Sequence, residues 1–530
     1  MIPAAGLALA GVVLMAVGLP LAAATPEPPR AWVDTTPVQP AGRTIAVPTG
    51  GDLQAALDGA RPGDVITLEA GATFIGPFTL PTKVGGGWIT VRTSAPESGL
   101  PPPGTRIDPS HAGALPKIVA AVGPVIAAAR GAHHYRFVGI EIHPVAGALL
   151  RNLVELGSAE TSVDRLPHHI VFDRCYLHGD PRRGTRRGIA LNARDAAVID
   201  SYLSDFKEVG NDSQAIAGWN GPGPFKIVNN YLEGAGENLM FGGADPAIPG
   251  LVPSDIEIRR NHLAKPLAWK QGDPAYAGVP WTVKNLFELK NARRVLVDGN
   301  LLERNWAQAQ SGFAVLFTVR NQDGGAPWSV VEDVAFTNNV LRGTASGVNI
   351  LGRDDTRPAG SQQTKRILIK NNLFLDVGGP RWGGGGVLFQ ILNGTASVVI
   401  DHNTAFQTGN ILTAEGPTHA GFVFTHNIVP HNAFGIVGTG TAPGIATLNA
   451  YFPGAVVRKN VIVGGGARQY PPGNFFPQSF AAVRFENPAD GLHRLAAASP
   501  YRRAALDGTD VGVDIGALPR AVWPGADQLR

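Results

Sequence analysis

From Arg136 onward one short pattern of apolar and polar positions recurs along the chain. Apolar residues alternate with polar ones, two polar residues follow that usually end in Asn, and a second apolar pair closes the unit. It reads IVFDRCYL at 170–177, VIDSYL at 198–203, KIVNNYL at 226–232, IEIRRNHL from Ile256, VLVDGNLL from Val295 and VAFTNNVL from Val334. ILIKNNLF, VVIDHNTA, FVFTHNIV and AVVRKNVI continue it from Ile367, Val398, Phe422 and Ala455, and RFVGIEI from Arg136 is a degenerate earlier copy. Period-two alternation predicts strands with one buried face. The asparagines stand at 230, 261, 300, 339, 372, 403, 427 and 460. Their intervals are too uneven for a helical solenoid, but they suit a parallel β-helix, in which strands are fixed and loops vary. Each Asn is expected at a tight bend, in the left-handed region, bonded to its counterparts above and below. About eleven coils stacked at ~4.8 Å would make a rod of roughly 50 Å. Hairpins in a sandwich would need two-residue Asn-Gly turns, which these segments lack.

The stretch Asp52-Leu-Gln-Ala-Ala-Leu-Asp58, followed by Arg61-Pro-Gly-Asp-Val-Ile-Thr-Leu68, and the ending Ser499-Pro-Tyr501 with Asp507-Gly-Thr-Asp510 through Asp514-Ile-Gly516 carry a resemblance. Together with the repeat they resemble the pectate-lyase-like superfamily. That likeness implies an all-β, single-stranded right-handed parallel β-helix over 45–518, opened by an N-terminal cap helix. It is specific for fold and poor for chemistry, because this superfamily hosts lyases, hydrolases, epimerases, adhesins and viral spikes.

Composition narrows the remainder. Charged residues are only 16% of 530, while Gly 67 and Pro 43 are abundant, which disfavours long salt-bridged helices. Net charge +3 implies no nucleic-acid partner, and the single Cys, Cys175, excludes a disulfide framework and leaves a buried thiol as its expected role. The apolar run Ala4–Leu21 before Ala22-Ala23-Ala24 reads as a signal peptide over 1–24, without the usual basic residue ahead of it. Residues 25–44 read as a Pro-rich extended linker and 519–530 as a C-terminal tail. The expected location is secreted or periplasmic, with no membrane contact beyond the leader; the oligomeric state stays open.

If the bend joins the second and third strands of a coil, the first strand follows the variable loop. ENLMFGG from Glu237, NLFELKN from Asn285, FAVLFTVRN from Phe313, GVNILGRD from Gly347 and GVLFQIL from Gly386 fill that place. Alternation then sends Phe287, Leu289, Val315, Phe317 and Val319 inward. It leaves Asn238, Glu288, Lys290, Arg320, Asn349, Arg353 and Gln390 as an outer polar stripe. Such a stripe suits a uronate-containing polysaccharide, since Lys and Arg neutralise a carboxylate and one of them can take the acidified neighbouring proton. The resemblance implies that Lys290 and Arg320 would do this catalysis, with Glu288 as their carboxylate partner. A cross-strand charge ladder of little energetic value is the other reading of the same three residues.

Trp281, Trp306 and Trp328 lie on the long loops beside these strands, either as platforms for pyranose rings or as plugs. Related β-helix lyases often hold calcium on acidic groups, and the resemblance makes Asp245, Asp323, Asp354 and Asp355 the candidates, although no calcium loop is present. Sharper signatures are missing. No Gly-His-Gly occurs; Asp108-Pro-Ser-His111 departs from the epimerase Asp-Pro-His-Glu; and Val399-Ile-Asp401-His402 lacks the Trp of the pectate-lyase strand. Glu237-Asn238 beside Gly242-Gly243 is similar to a Glu-containing strand of alginate and chondroitin lyases. His168-His169, His262, His402 and His426 are read as structural. The expectation is an exported polysaccharide lyase acting on acidic glycans, with a non-catalytic glycan-binding β-helix as the alternative.

Overall fold

The computed structural model describes residues 24–354, 356, 358–486 and 493–518. The expected leader, apart from its last residue, and the expected 519–530 tail lie outside them. Strands of three to seven residues recur in threes, and each strand pairs in parallel with its counterpart one coil away. Three parallel sheets result, here called sheet 1 (twelve strands), sheet 2 (fourteen) and sheet 3 (thirteen), wound as a right-handed parallel β-helix. One coil shows the order: Asn285–Leu289 in sheet 1, Ala292–Asp298 in sheet 2, the bend at Asn300, then Leu301–Asn305 in sheet 3.

Alternation does what the pattern predicts. In sheet 1 Phe287, Val315, Val348 and Phe389 form one core column, and Leu289, Phe317, Ile350 and Ile391 form the next. These columns join those of the other sheets in one continuous apolar core. A seven-residue helix, Leu53–Gly59, N-capped by Asp52, buries Leu53, Ala56 and Leu57 against that core. Cys175 is buried and free, and burial pushes its thiol up to about 12.

The bends differ from expectation in one detail. Positive φ falls on the residue before each Asn: Asn229, Arg260, Gly299, Asn338, Asn371, His402, His426 and Lys459. Each Asn is freed to bond along the stack. Asn230 N–H donates to Asn261 Oδ1, Asn261 N–H to Asn300 Oδ1 and Asn300 N–H to Asn339 Oδ1, each at 2.9 Å. The same bond repeats through Asn372, Asn403, Asn427 and Asn460, and it reaches Ser201 at one end and Asn474 at the other.

The described part of the Pro-rich stretch is docked rather than free. Glu27 N–H donates to Asp333, Arg30 N–H to Asp255, and Arg136 reaches the Thr35 carbonyl, while Val33 is buried on Val171 and Ala197. Residues 27–35 thus run along the outer face of sheet 2, where Asp255, Asp333, Arg136 and Lys226 bond the strap and Val171 and Ala197 take up Val33. At the other end, Val513, Ile515 and Leu518 cover Leu301, Val340 and Leu373 of sheet 3. Among the described residues no helix is long and apolar enough to cross a membrane.

Candidate functional site

The outer column of sheet 1 runs Met240, Glu288, Leu316, Asn349, Gln390 and Thr413 in register. Glu288, Asn349 and Gln390 therefore share one column, as alternation predicts, and the Asn349 amide donates to Gln390 at 3.0 Å. A second polar column stands at the start of the same strands: Arg187, Gln214, Glu237 and Asn285. Arg187 donates to Gln214 (3.0 Å), Gln214 to Glu237 (2.7 Å), and Asn285 to Glu288 (3.0 Å).

These columns bring two carboxylates and two ammonium groups together. Glu288 is buried, accepts from Thr318 at 3.2 Å, and has Lys290 Nζ 3.8 Å from Oε1. Glu237 is fully buried; Lys284 Nζ lies 3.9 Å from its Oε1, which has no hydrogen-bond partner, and bonds Asp212 at 2.5 Å. Burial first, then repulsion from Glu288 and Asp212, pushes the Glu237 carboxyl well above the ordinary range, with Lys284 and Lys290 opposing the shift. Against its own burial, Lys284 is held above the ordinary amine value by Glu237 and Asp212. Behind Glu237 sits Lys265, fully buried, donating to the carbonyls of Gly234 and Ala235 and to Asn238 Oδ1. Burial pushes its ammonium down.

Several expected site residues are placed elsewhere. Asn238 is wholly buried, its amide spent on the Leu232 and Ala264 carbonyls and its oxygen on Lys265, so it belongs to the interior corner and not to the stripe. Arg320 is outward and one coil from Lys290, whose carbonyl accepts its N–H at 2.9 Å. Its guanidinium, however, bonds Asp354 at 3.0 Å, so Glu288 serves Lys290 alone. The reason is position: the paired register ends with Leu289 on Phe317, and Arg320 lies past the strand end, on the loop that carries it towards Asp354. Arg353 is exposed beside these residues.

Trp281 and Trp306 are buried with Trp269, Ala235 and Val283, and the Lys207 ammonium sits about equally over the Trp269 and Trp281 rings, at 5.2 and 5.1 Å. They plug the long loops onto the barrel and offer no face to a sugar. Half-buried Trp328 donates its indole N–H to the Leu251 carbonyl. The aspartates do not gather either. Asp245 and Asp323 meet each other as a clasp between loops, through the Asp245 and Gly325 amides. Asp354 is bracketed by Arg320, the Asn321 amide and Thr356, and Asp355 lies outside the described residues. The carboxylates that do gather, Glu237 and Glu288, already have ammonium neighbours, so the donor set does not fit calcium.

Sequence reasoning passed over Lys284 and Lys265, and it named Glu237 without giving it a place in the site. The Glu237-Asn238 likeness drew attention to the right strand, but Lys284 sits in the loop just before a strand, where alternation gives no direction. Two cavities lie elsewhere. One of about 610 Å³ is lined by Lys370, His402, Asp507 and Asp514, and one of about 530 Å³ by His262, Glu303, Arg342 and Trp382. Their carboxylates are satisfied internally: Asp401 beside the first bonds His426 at 2.7 Å, and Glu303 in the second bonds His262 at 3.0 Å and Arg342 at 2.6 Å. We therefore place the candidate site on sheet 1, where a carboxyl is left incompletely paired.

No protein-family model matches the chain, and no curated protein matches its sequence. Among solved structures, the PL6-family alginate lyase AlyGC aligns over 91% of this chain and 59% of its own, at 13% identity and TM-score 0.50. The catalytic unit of a thermostable GH87 α-1,3-glucanase from Streptomyces thermodiastaticus aligns over 85% of this chain and 72% of its own, at 13% identity and TM-score 0.48. A mannuronic-acid-specific polysaccharide family 6 lyase from human gut microbiota aligns over 83% and 93%, at 11% identity and TM-score 0.44. The chain spans about three-fifths of the length of the first of these. At such identities the likeness concerns the fold.

Proposed function

We propose that the protein is exported by its N-terminal segment and acts on acidic polysaccharide, as a lyase that cleaves uronate-containing glycans by β-elimination. The observation that carries the reading is the sheet 1 cluster, in which Lys290 stands partly exposed at the outer end of the buried carboxyls Glu288 and Glu237, with half-buried Lys284 beside Glu237. In this reading Lys290, as the free amine, abstracts the proton beside the substrate carboxylate. The C–O bond to the leaving sugar breaks as the double bond forms, and the departing oxygen takes a proton from water or from the ammonium so formed. The one-third-exposed Arg320, one coil away, attracts that carboxylate while keeping Asp354 as its fixed partner. Glu288, locked by Asn285 and Thr318, positions the Lys290 amine. Glu237, buried behind them and held by the Gln214 amide, does not touch substrate. Arg353, Asn349 and Gln390 continue the accessible stripe on which further sugar units would lie.

A shared fold with an alginate lyase agrees with this reading without identifying the glycan. The non-catalytic glycan-binding alternative draws on the Arg320–Asp354 pair, which leaves Arg320 partly neutralised. It loses its platform, because Trp281 and Trp306 are buried.

The test is unsaturated-product absorbance over a panel of uronate polysaccharides, with and without chelator, for the wild type and Lys290→Ala. Lys290→Ala should lower turnover by about 100-fold or more, the contribution of a general base, with Tm unchanged. Binding of a glycan without product would establish the alternative. Neither binding nor product across the panel would refute both readings.

A further inference from the structure

Two tandem histidine pairs open consecutive strands of sheet 2: His133-His134 in His133–Val138 and His168-His169 in His168–Asp173. The strands are in register, so His133 stacks on His168 with ring centroids 4.8 Å apart, and His134 stacks on His169 at 4.4 Å. Adjacent residues of a strand ordinarily point to opposite faces. Here His134 and His169 adopt φ of 58° and 54°, which turns each pair of rings to one side. Four imidazoles thus form a half-exposed square on the surface.

The hydrogen bonds fix which nitrogens are available. His133 Nε2 lies 3.0 Å from the Lys83 carbonyl, which can only accept, so this nitrogen carries the proton. The neutral ring's Nδ1 is then the acceptor at 2.8 Å from His134 Nδ1, which must donate. That leaves His134 Nε2 as a lone pair. His168 and His169 repeat the Nδ1–Nδ1 contact at 2.8 Å, so the donor of that pair has a free Nε2 lone pair, while the acceptor becomes a ligand only when an ion displaces the bond. One nitrogen each from His134, His168 and His169 lie within 4.8 Å of one another. Nitrogens about 2.0–2.1 Å from a tetrahedral ion stand roughly 3.3 Å apart, so the three must close by up to about 1.5 Å when the ion binds. In the next coil Arg194 follows His168 in register, while Asp195 brings a carboxylate to 3.9 Å from His169 Nδ1 and offsets the guanidinium. Carboxylates behind ligating imidazoles are the usual second support of such sites.

We infer that His134, His168 and His169 form a surface site for a borderline divalent transition metal ion of the zinc class, with His133 and Asp195 holding the rings in place. An all-imidazole set selects such ions over calcium and magnesium. The site is some coils away from Lys290 and independent of the polysaccharide reading.

The experiment uses the full, untagged chain. Equilibrium dialysis against Zn²⁺ should load about one ion per chain, and Co²⁺ should give the intense visible bands of a tetrahedral site. His134→Ala/His169→Ala should weaken binding by at least about tenfold. His143→Ala/His178→Ala, in a separate histidine stack of sheet 3, should leave it unchanged. Circular dichroism verifies that both variants are folded. Zn²⁺ uptake that stays near zero in the wild type, or that is undiminished in the folded His134→Ala/His169→Ala variant, would overturn the assignment. Should that variant fail to fold, the wild-type Co²⁺ spectrum decides: absence of tetrahedral bands overturns it.

Discussion

Replacing Asn300 with Ala perturbs the stack at its middle, where its energetic content can be worked out bond by bond. The side chain is 1% exposed and makes four hydrogen bonds. Its Oδ1 accepts from the Asn261 backbone N–H (2.9 Å) and the Asn261 amide (3.1 Å), and its Nδ2 donates to the Ile258 carbonyl (3.0 Å) and to Asn339 Oδ1 (2.9 Å). Two of the four partners keep other bonds: the Asn261 amide still reaches the Ile227 carbonyl, and Asn339 Oδ1 still receives the Asn300 N–H. The Asn261 N–H and the Ile258 carbonyl lose their side-chain partner in a dry corner. At about 1–3 kcal/mol for each buried group so deprived, and with some relaxation, the expected loss is about 3 kcal/mol. Asn338→Gly is the matched control. It lies one residue earlier, half-buried, at φ 55°; glycine relieves the backbone there and offsets the loss of its solvent-screened bonds to Asp298 (2.6 Å) and Asn371 (2.7 Å), so it should cost under about 1 kcal/mol. Urea unfolding followed by circular dichroism measures both, with m-values compared because a stack held by nearest-neighbour contacts can lose coils piecewise. A loss at Asn300 below about 1 kcal/mol, or no larger than at Asn338, would refute the argument that these side chains carry the bend.

Glu233 of sheet 3 is buried and, chiefly by that burial, pushed up from the ordinary 4.5 to about 7. A raised carboxyl means that the folded chain holds a proton the unfolded chain has released. Its favourable contribution is complete below about pH 4.5 and is lost as pH rises through about 7. Glu237 shifts in the same direction. Glu233→Gln should therefore reduce, but not abolish, the fall in Tm between pH 4.5 and 7.5, and an unchanged slope would contradict the assignment. Trp281→Ala should destabilise by about 3–5 kcal/mol as a large core deletion, and it also removes one ring from beneath Lys207. Weakened glycan binding at unchanged Tm would instead make Trp281 a sugar platform.

The sequence by itself determined the solenoid. Each coil touches only its neighbours, so the same short alternation must recur in every coil, and a local pattern carries the whole architecture. The inward columns through Phe287 and Phe317, and the shared outer column of Glu288, Asn349 and Gln390, follow from period two and register alone. The tandem histidines could also be seen one coil apart, but alternation would have sent each pair to opposite faces; only the left-handed backbone at His134 and His169 joins them. Alternation stops at strand ends, and there the tertiary structure decided everything. Arg320 chose Asp354, Trp281 and Trp306 folded under their loops, and Asn238 turned into the corner with Lys265. The displaced carboxyl of Glu237 has the same origin. Its charge state is set by burial and by Glu288, Asp212, Lys284 and Lys290, which come from other coils and loops. Electrostatic energy depends on distance and desolvation in three dimensions, and neither is encoded in the spacing of residues along a strand.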